Sequence, residues 1–303
     1  METNLKLRKT LITILIIIIL TPLALYGWIT RSNGKIQIDG KTRRYVVHKP
    51  DAYDASEPTA LVLSLHGFSD WPMHHMRMSG WNHLADSEGF IVVYPMGTGF
   101  PLRWNAYAKT EEDGSPNADV AFLQALIERL KKEFNIDSEQ IFVNGLSNGA
   151  GMSQMLACEL GEEISALGGV AGAYLLSWEA CQTEQPIPAM LFHGTEDPIV
   201  SYAGGQTSRS GAIFPDIPEF AASWAERNQC DPEAIKTIVS SSITRTDYRD
   251  CAGGSDVVLF IIQNGGHTWP GGCCLPKRIA GETTQEINAT SLMWAFYQSQ
   301  ITQ

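Results

Sequence analysis

Ser147 lies in Phe142-Val143-Asn144-Gly145-Leu146-Ser147-Asn148-Gly149-Ala150-Gly151-Met152. An apolar, strand-like stretch, Ile141 to Val143, precedes it, and a helix-compatible stretch, Met152 to Leu160, follows. Gly-x-Ser-x-Gly between a strand and a helix describes a sharp turn that lifts a hydroxyl clear of the chain. Side chains at Gly145 and Gly149 would collide with neighbouring backbone in so tight a turn. The chemistry on offer is nucleophilic attack on a carbonyl. A serine hydroxyl is weak at its own pKa, so it needs a base within hydrogen-bond reach and a carboxylate to orient the base.

Around a turn of this kind the partners follow in the order serine, acid, histidine. The chain has seven histidines, and only His193 and His267 come after Ser147. His193 ends the stretch Ala189-Met190-Leu191-Phe192 and precedes every acid of its own loop, so it fails the order. His267 remains as the base, in Gly265-Gly266-His267-Thr268-Trp269-Pro270. The loop after His193 reads Gly194-Thr195-Glu196-Asp197-Pro198. Asp197 is the expected acid, since the following proline biases its backbone to an extended form, and Glu196 is the second choice. The oxyanion of a tetrahedral intermediate needs donors. Those expected are the backbone N–H groups of Asn148 and of Phe68, in His66-Gly67-Phe68, where Gly67 lets the backbone swing inward and His66 braces the loop. Trp104 and Trp269 sit on loops expected to border the cleft, as candidate stacking surfaces for substrate. No ligand spacing of zinc type occurs, so no metal and no cofactor is expected.

The elements that must hold these groups are legible. Lys35 to Asp39 and Arg44 to His48 read as antiparallel strands across an Asp39-Gly40 turn. Ala60 to Leu65, Phe90 to Tyr94, Ile141 to Asn144, Ala166 to Val170, Ala189 to Phe192 and Val257 to Ile262 are apolar runs of buried-strand type. Residues 96 to 117, rich in Gly, Pro, Asn and Asp, form a long loop. Asp119 opens a helix as a capping charge, and Val120, Leu123, Leu126, Ile127, Leu130 and Phe134 share one face. Pro218 to Asn228 and a C-terminal segment carrying Leu292, Ala295 and Phe296 are further helices. Strands alternating with helices predict a mostly parallel central sheet flanked by helices. The short stretch between Val170 and Ala189 leaves no room for a large cap domain.

The 303 residues are 44% hydrophobic and 18% charged, with a formal net charge of -11. That balance argues against nucleic acid or an anionic membrane face as the main partner. Lys6, Arg8 and Lys9 precede an apolar run from Leu11 to Ile29, the pattern of a secretory signal or a membrane anchor. Residues 1–33 are read as that segment and 34–303 as one catalytic domain. An exported, extracellular or periplasmic protein follows, either released or anchored at its N-terminus. Six cysteines agree with an oxidising compartment, and they allow 15 pairings. Cys158 lies in the helix after Ser147, Cys181 before the next core strand, Cys230 at the end of a helix-like segment and Cys251 after a strand-like one. Cys273 and Cys274 are adjacent, either a vicinal bridge or thiols.

From about Lys41 to Tyr297 the chain resembles the α/β-hydrolases known as polyhydroxybutyrate depolymerases and feruloyl esterases, the first carbohydrate-esterase family. The resemblance rests on Leu65-His66-Gly67, Asp119-Val120-Ala121-Phe122, Gly145-Leu146-Ser147-Asn148-Gly149, His193-Gly194-Thr195-Glu196-Asp197-Pro198 and Gly266-His267-Thr268-Trp269-Pro270-Gly271. It implies an α/β-hydrolase fold, with Ser147 as nucleophile, Asp197 as acid and His267 as base. It also implies a Cys230–Cys251 bridge. The expected activity is hydrolysis of carboxylic esters, small or polymeric, of polyhydroxybutyrate or feruloyl type, through an acyl-enzyme. A lipase, acyltransferase or peptidase would use the same three side chains. An inactive surface binding module is the reading from another class.

Overall fold

The computed structural model describes residue 27, residues 30–181, 183, 185–206 and 212–301. The leader or anchor expected at residues 1–33 therefore falls almost wholly outside the described residues. Among the described residues no helix is long and apolar enough to cross a membrane. The strands are β1 (Gly34–Ile38), β2 (Lys41–His48), β3 (Thr59–Leu65), β4 (Ile91–Pro95), β5 (Ile136–Leu146), β6 (Ala166–Val170), β7 (Ala189–Gly194), β8 (Gly205–Gln206), β9 (Ile213–Phe214), β10 (Ile235–Ser240), β11 (Ile243–Tyr248) and β12 (Val257–Ile262). The helices are α1 (Pro72–Ser79), α2 (Trp81–Glu88), α3 (Ala118–Glu133), α4 (Asn148–Glu159), α5 (Ile217–Arg227), α6 (Lys277–Ala280) and α7 (Ala289–Ile301).

Ten strands form one sheet in the order β1-β2-β4-β3-β5-β6-β7-β12-β11-β10. The six from β4 to β12 run parallel, and antiparallel hairpins close both rims. The β1–β2 turn holds only Asp39 and Gly40, both at positive φ, as a two-residue hairpin requires. Side chains alternate between faces along each strand, so every parallel strand serves two cores. Leu61, Leu63, Leu65, Ile141, Val143 and Leu191 pack under α3, α4 and α5. Val62, Phe142, Met190, Phe192 and Phe260 pack under α1, α2 and α7. This explains why these strands are apolar throughout: neither face meets water. Leu146 pairs with Val170, Val170 with Phe192, and Gly194 with Ile262. The C-terminal ends of β5, β6, β7 and β12 are thus level, and their loops open on one edge, where ligands collect in open α/β sheets.

Two details differ from the sequence-based expectation. Helix α3 is capped by Asn117, whose side chain accepts from the N–H groups of Asp119 and Val120. Asp119 is not a solvent-facing cap charge but a buried partner of Arg43, at 2.6 Å, and it also accepts the Asn105 N–H at 2.8 Å. Its carboxylate therefore ties α3 to β2 and to the long 96–117 loop. The strand-like sequence before Cys251 forms two rim strands, β10 and β11, with Ile235, Ile238 and Val239 exposed. All four cysteines singled out are bridged, Cys158 to Cys181 and Cys230 to Cys251, and Cys273 is joined to Cys274.

Behind β3 and β5 lies a buried polar knot. Ser64 Oγ donates to Asn144 Oδ1 at 2.8 Å and receives the Nε2–H of His75 at 2.9 Å. Trp81 Nε1 donates to the same Asn144 oxygen at 3.1 Å. Burial pushes the His75 pKa down from 6.5 to about 3; the Asp70 charge opposes this, and His66 and His74 add to it. A base with a folded pKa below its unfolded value stabilises the fold in neutral form above pH 6.5, and that contribution is lost as pH falls toward the folded value. Between pH 7 and pH 4 the loss is on the order of 3 kcal/mol. His75→Gln keeps a donor for Ser64 and cannot be protonated, so its melting temperature should fall less over that range than the wild type's. Parallel pH slopes in thermal melts of the two proteins would refute this assignment.

Candidate active site

Strand β5 ends at Leu146, α4 starts at Asn148, and Ser147 between them takes φ 57° and ψ −118°. That strained backbone is held from both sides. Ser147 N–H donates to Val170 C=O at 2.9 Å, while Ser147 C=O accepts from Gly151 at 3.1 Å and Ala173 at 3.0 Å. A Cβ on Gly145 would fall 2.4 Å from the Gly149 carbonyl carbon, and one on Gly149 would fall 2.2 Å from Leu65 O. Only glycine admits an approach this close. Ser147 immediately precedes the first turn of α4, the end of the helix that carries partial positive charge. Among the described residues the Ser147 hydroxyl makes no hydrogen bond, so it stays available.

Asp197 follows β7 and is buried. Its Oδ1 accepts the Ile199 and Val200 N–H groups, each at 2.8 Å. Its Oδ2 accepts the His267 Nδ1–H at 2.7 Å. His193 Nε2, which donates to Val200 C=O at 2.9 Å, lies 3.4 Å from the same Oδ2. Burial pushes the Asp197 pKa up, but the hydrogen bonds and charges of His193 and His267 outweigh it and hold the carboxyl well below the usual carboxylate range. Asp197 is therefore held as the anion at neutral pH. His267 follows β12, and its backbone N–H donates to Ala280 C=O at 2.5 Å. With Nδ1–H committed to Asp197, the imidazole presents Nε2 as a proton acceptor. Glu196, the alternative acid, makes no such contact with His267.

The Phe68 and Asn148 backbone N–H groups have no hydrogen-bond partner among the described residues. A Cβ on Gly67 would stand 3.5 Å from Ser147 Cβ, so the 66–68 loop runs beside the serine. Two unpaired N–H groups next to a hydroxyl are what a developing oxyanion requires.

Trp104 and Trp269 do not border the cleft. Each is only 1% exposed. Trp104 Nε1 donates to His66 C=O at 2.9 Å, and Trp269 Nε1 donates to Thr290 Oγ1 at 3.0 Å. A ring sealed in the core with its N–H spent has no face for a substrate. Among the described residues the exposed aromatics are Phe68, Phe100 and Tyr107, at 57%, 90% and 62%. Ser69 N–H donates to Leu102 C=O at 2.8 Å, which brings the Phe68 and Phe100 loops together. No sequence signal separates these aromatics from the buried tryptophans, since both kinds sit in the same Gly- and Pro-rich loops. His193 was likewise missed as a contact of the acid. The order argument asks only which histidine can be the base.

Concavities of about 550, 540 and 390 Å³ open elsewhere on the surface, and none is lined by Ser147, Asp197 or His267. Among the described residues no cluster of His, Cys, Asp and Glu is arranged to hold a metal ion.

The family model for phospholipases and carboxylesterases matches residues 52–212. Feruloyl esterase C of Emericella nidulans is 30% identical over 244 residues, covering 78% of this chain and 80% of that protein. A bifunctional acetylxylan esterase/xylanase of Neocallimastix patriciarum is 30% identical over 163 residues, covering 54% of this chain and 22% of that much longer protein. Among solved structures, an acetyl xylan esterase from Aspergillus awamori superposes with a TM-score of 0.58 at 16% identity, covering 75% of this chain and 89% of that one.

Proposed function

The chain belongs to the phospholipase/carboxylesterase family of α/β-hydrolases and is a carboxylic ester hydrolase, and from that premise we propose a triad of Ser147, His267 and Asp197 working through an acyl-enzyme. The observation that carries the reading is the His267 imidazole, fixed by Asp197 with Nε2 free, on the same sheet edge as the strained Ser147. His267 Nε2 takes the Ser147 proton as Oγ bonds to the ester carbonyl carbon. The carbonyl oxygen becomes an oxyanion held by the Phe68 and Asn148 N–H groups. The imidazolium, balanced by the Asp197 charge, returns its proton to the departing alkoxide, which leaves as the alcohol. Water then loses a proton to His267, attacks the acyl carbon, and the acid departs as Ser147 recovers its hydrogen. No step calls for a metal or a cofactor.

The substrate class we propose is an ester with an aromatic or hydroxyalkanoate acyl group on a bulky or polymeric alcohol. The feruloyl esterase relative supports the aromatic acyl group. The exposed Phe68, on the loop beside Ser147, and Phe100, on the loop tied to it, support an apolar contact in the open. The three disulfides support work in an oxidising compartment outside the cytoplasm, as a secreted or N-terminally anchored enzyme.

A fluorophosphonate probe should label the protein once, and peptide mass spectrometry should map the adduct to Ser147. Ethyl ferulate, hydroxybutyrate oligomers, p-nitrophenyl acetate and a peptide anilide should then be compared by kcat/KM. Turnover of ferulate or hydroxybutyrate esters is expected. Hydrolysis of the anilide alone, or a label elsewhere than Ser147, would overturn the proposal.

A further inference from the structure

The two candidate oxyanion donors come from different parts of the chain, Phe68 N–H from the loop after β3 and Asn148 N–H from the start of α4. Nothing in the triad holds them at a set separation. A chain of hydrogen bonds does. The Asn148 side chain grips one residue twice: its Oδ1 accepts the Trp104 N–H at 2.7 Å, and its Nδ2 donates to the Trp104 C=O at 3.1 Å. The Trp104 indole then reaches across, and its Nε1–H donates to His66 C=O at 2.9 Å. His66 completes the line. Its Nε2 accepts the Gly97 N–H at 3.0 Å, so Nδ1 carries the proton and donates to Gly67 C=O at 2.8 Å. Burial lowers the His66 pKa, against the raising influence of Asp70, Asp119 and the Gly67 carbonyl, which keeps the ring neutral and this tautomer in place.

The last bond matters because Gly67 C=O and Phe68 N–H belong to one peptide group. The group is planar and trans, so aiming the C=O aims the N–H the opposite way. From this arrangement we infer that Trp104 is a positioning residue for the oxyanion hole. It is a strut that sets the Asn148 half of the hole against the Phe68 half. The assignment rests on the proposed triad and goes beyond it. Trp104 touches no reacting atom, and its burial, which excludes it as a substrate platform, is what makes it rigid enough for this task.

A strut that serves a transition-state oxyanion has a distinct signature. Its loss should lower kcat and spare KM, because the ground-state carbonyl gains little from the donors. Trp104→Phe keeps most of the ring volume and removes the Nε1–H. Asn148→Ala cuts the same strut from its other end and leaves the buried ring in place, so it also serves if Trp104→Phe folds poorly. Each variant should lose about 10- to 100-fold in kcat. KM should stay within about twofold, and affinity for an alkyl boronic acid, which forms a tetrahedral adduct on serine, should fall by a factor similar to the kcat loss. The double variant should lose no more than the worse single, because both interrupt one chain. Unchanged kcat and boronate affinity in the variants, losses confined to KM, or additive losses in the double variant would overturn the strut while the wild type remains active. A wild type that neither takes the fluorophosphonate nor binds the boronate would overturn the strut and the triad together.

Discussion

Ser147→Ala should reduce kcat on a soluble ester by about 10⁵- to 10⁶-fold and leave the melting temperature close to that of the wild type. The loss is large because the hydroxyl is the atom that bonds to the acyl group. Without it the imidazole has no proton to take, and the remaining N–H groups act only on a direct attack by water. The fold should survive because the turn is held through the backbone of residue 147, not its side chain. The bonds to Val170, Gly151 and Ala173 all use main-chain atoms. The hydroxyl itself contributes no hydrogen bond that alanine would leave broken. Steady-state kinetics and a thermal melt on the same preparation test both halves. More than about 1% residual activity would sink the nucleophile assignment, since removal of a triad member leaves far less.

Asp197→Asn should cost about 10⁴-fold in kcat and, unlike Ser147→Ala, should also destabilise the protein by about 1–3 kcal/mol. The reason is donor arithmetic. Every close polar neighbour of this carboxylate presents an N–H: Ile199 and Val200 at 2.8 Å, His267 at 2.7 Å and His193 at 3.4 Å. Asparagine keeps one acceptor oxygen and replaces the other with an NH₂. If that NH₂ faces Ile199 and Val200, donors confront donors and the loop is pushed apart. If it faces His267, Nδ1 must become the acceptor, the proton moves to Nε2, and the ring can no longer take the serine proton. Neither amide orientation escapes. Activity within tenfold of the wild type would refute the role given to Asp197, and an unchanged melting temperature would refute the donor count.

The parts of the fold that could be read from the chain are those where one local pattern suffices. Strands β3, β5, β7 and β12 are continuous apolar runs because two cores flank them, and the same runs fix where the loops bearing Ser147, Asp197 and His267 emerge. Order along the chain then singled out Asp197 and His267, and the structure brings those two side chains into contact. What could not be read depends on distant pairings. Asp119 looks like any helix-opening acid until Arg43, far away in sequence, is folded against it. Trp104 and Phe68 lie in equally polar loops, yet one is sealed and the other is open, because only the fold decides which loop face turns inward. The strand-like sequence before Cys251 proves to be two strands, β10 and β11, and the bounds of β10 are not legible because Ile235, Ile238 and Val239 stay exposed on the sheet rim and break the alternation that marks a half-buried strand.

The three open aromatics, Phe68, Phe100 and Tyr107, hang outside both cores and leave their faces to solvent. Exposed side chains of this sort can be exchanged at a penalty of a few tenths of a kcal/mol. Under the proposed contact between Phe68, Phe100 and the acyl group, selection can retune ester preference at these positions while the triad and the two hydrophobic interiors stay fixed.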